Sequence, residues 1–186
     1  MLILLSCAKT MSDVSKTKTP LTTFPGFRKE AAEVALQMSQ FSVEELERLL
    51  KVNPKIAVEN YRRYQAFHSE GTRELPALLA YTGIVFKRVH PQDFSEEDFC
   101  YAQDHLRLTS FCYGLLRPLD MISLTGLREM YGCLNPATER CLIIGSQSLQ
   151  TGLLQISRKP VGCFVIWQVT KCGDFSIGSG LRRRFV

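Results

Sequence analysis

Residues 2–5, L-I-L-L, are apolar without alternation, the pattern of a strand buried on both faces. Residues 13–24 are polar and rich in Thr and Lys, with Pro20 and Pro25 as punctuation, and predict a loop. From Phe27 the apolar positions Ala31, Val34, Ala35 and Met38 fall on one helical face. Ser42 and Glu45 have capping-box spacing and open a second helix through Leu46, Leu49 and Leu50. Asn53-Pro54 breaks that helix, and a third carries Ile56, Ala57, Tyr61 and Tyr64. Helix, short break, helix outlines a helix-hairpin-helix-like unit.

Farther along, Pro76 starts a short helix, and residues 83–86, G-I-V-F, are rich in branched and aromatic residues and predict a strand. Ser95 with Asp98 is a carboxylate version of the capping box. Beyond it Ala102, Leu106, Phe111, Tyr113 and Leu116 recur at roughly helical spacing until Pro118, so a helix is expected through to that proline. The fold class expected is α+β, a mixed sheet with packed helices.

A chain of 186 residues suits one domain with a proper core, and 45% hydrophobic content fits a globular protein. No run approaches the eighteen or so apolar residues of a membrane span. The apolar start is short for a signal peptide and has no charged region before it, so the expected location is the cytoplasm. The net charge of +5 is unevenly placed. Residues 1–124 hold 15 basic and 15 acidic side chains, whereas residues 125–186 hold 8 and 3. Eight of the twelve glycines and four of the seven cysteines also fall in that last third, so composition changes abruptly near Thr125.

Residues 94–120 read F-S-E-E-D-F-C-Y-A-Q-D-H-L-R-L-T-S-F-C-Y-G-L-L-R-P-L-D. They resemble the signature of the YaaA family of bacterial peroxide-stress proteins, in which S-E-E-D-F-x-x-A-Q-x-H-L-R runs into Y-G-x-L-R-P-L-D. The opening S-C-A-K-T resembles the family's S-P-A-K-T turn, with Cys7 where the family usually has proline. Tyr81, Gly83 and Val85 match its A-Y-x-G-x-V-Y segment, and Phe86 replaces the tyrosine. The resemblance covers residues 1–124. It implies a non-enzymatic part in the peroxide response, limiting free iron and the damage iron does to DNA, with DNA as the partner. It implies no cofactor and no obligate protein partner.

In a helix-hairpin-helix unit, backbone N–H groups and nearby cations hold a phosphate. The candidates here are Lys51, Asn53, Lys55, Asn60, Arg62 and Arg63, although the hairpin lacks the glycines that let backbone approach a phosphate closely. Two packed helices with a solvated charged face is the competing reading. A second set, Lys9, Arg107 and Arg117, are anion-binding candidates, because guanidinium groups grip anions bidentately. Arg117 also stands where it can cap carbonyls or pair with Asp120. With these as its anion site, the alternative function is an enzyme on a phosphate-bearing or nucleotide substrate.

No catalytic residue and no metal site is expected. Ser6 beside Lys9 reads as a solvated turn rather than a nucleophile and base, and His105 as a structural helix histidine. Cys100 and Cys112 are twelve apart, and neither C-x-x-C nor H-x-x-x-H occurs. Seven cysteines do not form a disulfide framework, and redox sensing by Cys7 or Cys112 would need a lowered thiol pKa.

After Leu124 the family's Y-R-L-E-like, D-Y-W and N-L-A-S segments are missing. Joining the third base of each codon to the first two of the next permits them in order, with up to four choices at each junction. Met130-Tyr131 then forces a valine and Trp167-Gln168 an alanine. The codon junctions entering each of residues 143–146 permit D-Y-W-K, and those within residues 161–171 permit G-V-F-C-Y-L-A-S-D-E. The expectation is one nucleotide lost at or just before codon 125, with residues 125–186 a frameshifted, non-native tail on a truncated domain and the product non-functional or poorly folded. A divergent C-terminal domain is the alternative.

Overall fold

The computed structural model describes residues 2–125 except Lys9 and Glu70, together with Gln147, Gln150, Thr151 and the backbone of Phe164–Trp167. The elements run β1 (Leu2–Ser6), α1 (Arg28–Met38), α2 (Val43–Leu50), α3 (Pro54–Ala66), β2 (Glu74–Pro76), α4 (Ala77–Ala80), α5 (Ile84–Val89), a 3-10 turn (Pro91–Asp93), α6 (Glu96–His105), β3 (Leu106–Ser110), β4 (Gly114–Leu116), β5 (Met121–Ser123) and β6 (Phe164–Trp167). The architecture is α+β, as the sequence predicts.

The main sheet has the order β4-β3-β1-β6, with β1 parallel to both neighbours and β4 antiparallel to β3. A central position explains why β1 is apolar on both faces. A separate two-stranded antiparallel sheet pairs β2 with β5. The core joins Leu5, Leu106, Leu108 and Leu116 of the sheet to Val34, Met38, Leu46, Leu49 and Tyr64 of the helices.

Local signals set where α2, α3, α4 and α6 begin. Both arms of the Ser42–Glu45 box are made, with Glu45 N–H donating to Ser42 Oγ and Ser42 N–H to Glu45 Oε2. The box fixes where α2 begins, and Leu46, Leu49 and Leu50 follow on its buried face. Asn53 caps α3, with Pro54 in the first turn, where its missing N–H costs nothing. Pro76 begins α4, and the Ser95–Asp98 box opens α6.

Two expectations are corrected. The helix begun at Ser95 stops at His105 instead of reaching Pro118. From Leu106 burial alternates, with Leu106, Leu108 and Ser110 inside and Arg107 and Thr109 half-buried. That period of two suits a strand, and β1 supplies the parallel partner, so pairing in the sheet overrides the approximate helical spacing. Residues 83–86 are not a strand, since Gly83 precedes α5. A Cβ on Gly83 would lie 2.6 Å from Ala8 Cβ, so this glycine lets α5 start against the end of β1. Among the described residues no helix is long and apolar enough to cross a membrane.

Candidate functional site

α2 and α3 pack on each other across the three residues 51–53. The structure divides the six hairpin candidates. Lys51, Lys55 and Arg62 are exposed, and Lys55 and Arg62 are seven apart, close to one face of α3. Asn53 is exposed, but its side chain is occupied by the N–H of Ile56 at 2.9 Å. Val52 N–H is bonded to Glu47 O, so the hairpin uses on itself some of the groups a phosphate would need.

Asn60 is fully buried, and only 12% of the Arg63 side chain is exposed. Arg63 donates to Asn60 Oδ1, Glu59 Oε1 and the main-chain oxygen of Met11. These two residues tie α3 to the segment after β1 and do not face solvent with the lysines. That segment is also held by Ser12 N–H on Ala80 O and Thr82 N–H on Thr10 O. Lys9 falls in the same turn but lies outside the described residues.

Arg107 comes from β3, and Arg117 is the residue that follows β4. Arg107 Nη1 donates to the carbonyl oxygens of Gln103 at 2.8 Å and Leu106 at 2.6 Å. Partial burial, and then the nearby Arg117 cation, hold the Arg107 guanidinium below its ordinary pKa. Arg117 Nη2 lies 3.4 Å from Asp120 Oδ1, which is the salt bridge considered from the sequence. Asp120 also accepts the Thr23 hydroxyl at 2.6 Å and the Arg117 N–H at 2.8 Å. Gln103 completes the group, donating to Thr23 Oγ1 and accepting from Leu119 N–H.

Sequence reasoning missed this role of Gln103 and Thr23. Gln103 stands inside the quoted signature, but its partner Thr23 is eighty residues earlier, and no local pattern links them. His105 is a structural residue, stacked on Tyr101 at 4.1 Å with Nδ1 at the Tyr101 carbonyl oxygen.

A cleft of about 370 Å³ opens between α1, the α3–β2 connection and β5. The Arg28–Glu74 ion pair lines it at 2.7 Å, and Tyr113 lies deeper. The Tyr113 hydroxyl is already committed, donating to Ser123 O and accepting from Ser123 N–H, and burial pushes its pKa up. Cys7 and Cys112 are buried, and the Cys112 thiol is 3.6 Å from Ala31 O. Among the described residues, no three His, Cys, Asp or Glu side chains are grouped to hold a metal.

Residues 1–127 match the family model described as "Peroxide stress protein YaaA". A UPF0246 protein of Bacteroides fragilis (strain YCH46) is 99% identical over 122 residues, covering 66% of this chain and 48% of that protein. UPF0246 proteins of Bacteroides thetaiotaomicron and Porphyromonas gingivalis are 82% identical over 122 residues and 50% identical over 123, with the same coverage. The chain spans about half the length of the curated relatives it matches.

Proposed function

The chain belongs to the YaaA family of peroxide stress proteins, and from that premise we propose that it represents an oxidative-stress factor that binds DNA. Its part in the response is to limit free iron and so the damage that iron does to DNA, with DNA binding as the associated activity. The observation that carries the reading is the exposure of Lys51, Lys55 and Arg62 on the α2–α3 unit. Glu59, between Lys55 and Arg63 on α3, is drawn onto Arg63 at 2.6 Å, which offsets its effect on the exposed cations.

Three phosphate contacts give a salt slope of about −3 in log K against log[salt]. Fluorescence anisotropy with unrelated duplexes tests this. Lys55→Glu is expected to weaken every duplex alike and to reduce the slope by about 1. Salt-independent binding, or binding indifferent to Lys55→Glu, contradicts the reading.

The alternative, an enzyme on a nucleotide or other phosphate-bearing substrate, is supported by the nearness of Arg107 to Arg117. A thermal-shift screen of nucleotides against the full-length protein separates the two. The proposal places the activity in a longer, in-frame product. A relative 99% identical over 122 residues covers only 66% of this chain, and gradual substitution does not end such identity within a few codons.

A further inference from the structure

The β3–β4 ladder sets Leu108 opposite Leu116, Thr109 opposite Leu115 and Ser110 opposite Gly114. The ladder ends at the Leu108–Leu116 rung, and one step further the same register would bring Arg107 opposite Arg117, just past the end of β4. Arg107 and Thr109 are the half-buried positions of β3, and Leu115 is that of β4, so both arginines belong to this more open side of the sheet. Like charges directly opposite each other on antiparallel strands destabilise the pair. A sheet that keeps two cations there gives up stability unless an anion lies between them.

The neighbouring groups compensate only partly. On β1 the residue paired with Arg107 is Leu4, which carries no charge. The carbonyls of Gln103 and Leu106 hold the Arg107 guanidinium in place without neutralising it. Asp120 serves Arg117, but it is buried and already takes two shorter hydrogen bonds. Asp104, the other carboxylate acting on Arg107, is exposed on α6. Arg117 keeps 45% of its side chain open to solvent, so an incoming anion has access.

We propose that Arg107 and Arg117 form a two-guanidinium clamp for anionic phosphate oxygens, either those of a pyrophosphoryl group or those of the phosphodiester backbone of a polynucleotide. Each planar fork presents paired N–H donors that match phosphate oxygens, and Arg107 is oriented before the anion arrives. The clamp is built from residues other than those of the α2–α3 unit, so either site stands without the other.

Isothermal titration at low salt tests the clamp with inorganic pyrophosphate and with a short single-stranded oligonucleotide. It is run on the 186-residue chain and, in parallel, on the full-length Bacteroides fragilis relative. Arg107→Gln and Arg117→Gln are each expected to weaken binding at least tenfold, whereas Lys55→Glu leaves pyrophosphate within twofold. Arg107→Lys, which keeps the charge and the fold, is also expected to weaken binding because it lacks the fork. Arginine-dependent binding of the oligonucleotide without pyrophosphate supports the clamp and makes a polynucleotide its source. Affinities within twofold of the parent in both glutamine variants, or no binding of either probe by either protein, overturn it.

Discussion

Gln103 shows how one side chain can hold distant segments together. It is 8% exposed, and its amide joins Leu119 N–H at 2.9 Å to Thr23 Oγ1 at 3.1 Å, which in turn donates to Asp120. Gln103→Leu would leave a buried N–H without its acceptor, a loss of about 1–3 kcal/mol. Urea unfolding reads the difference, and a variant as stable as the parent would contradict the role. Asp98 acts more locally, at the start of α6. Hydrogen bonds from the Ser95 side chain, and then its backbone, hold the Asp98 carboxyl below its ordinary value. Its contribution is therefore present above the ordinary carboxylate pKa of about 3.9 and is lost as pH falls through the lower folded value. Ser95→Ala should raise the Asp98 midpoint in a carbon-detected NMR titration, and an unmoved midpoint would count against the cap. Both residues were legible as parts of a family signature. The physical reason for Asp98 was legible as well, because its partner is three residues away, whereas Gln103's partner is not.

At the scale of elements, what could be read from sequence was what is locally determined. Ser42, Asn53, Pro54 and Ser95 start their helices through contacts within three residues. The end of α6 was hidden because β3 exists through pairing with β1, about a hundred residues earlier in the chain. The conformation of residues 83–86 was hidden for the same reason, through Ala8. The same logic divides the hairpin candidates, since nothing in the sequence of α3 shows that Asn60 and Arg63 turn toward Met11 while Lys55 and Arg62 stay outside. Gly83→Ala should cost about 1–3 kcal/mol by overpacking. Ala8→Gly in the same chain should recover most of that loss. A Gly83→Ala protein melting like the parent would remove the explanation for how α5 begins.

For the whole molecule, the decisive strand is β1, which needs a neighbour on both edges. β3 provides one from within the family-matched residues, and β6 provides the other from residues 164–167, beyond the match at 127. The matched segment makes up only 48% of the Bacteroides fragilis relative. The 186-residue chain is therefore expected to unfold broadly and at lower temperature than its full-length Bacteroides fragilis relative. Calorimetry showing equally sharp, equally high transitions would contradict this. Whether the stress-response activity proposed above belongs to a longer in-frame protein is decided by sequencing codons 120–130 from an independent clone. An additional base that restores Tyr-Arg after Leu124 is the expected result. The present frame confirmed in the gene, with the intact 186-residue mass found in cells, would contradict it.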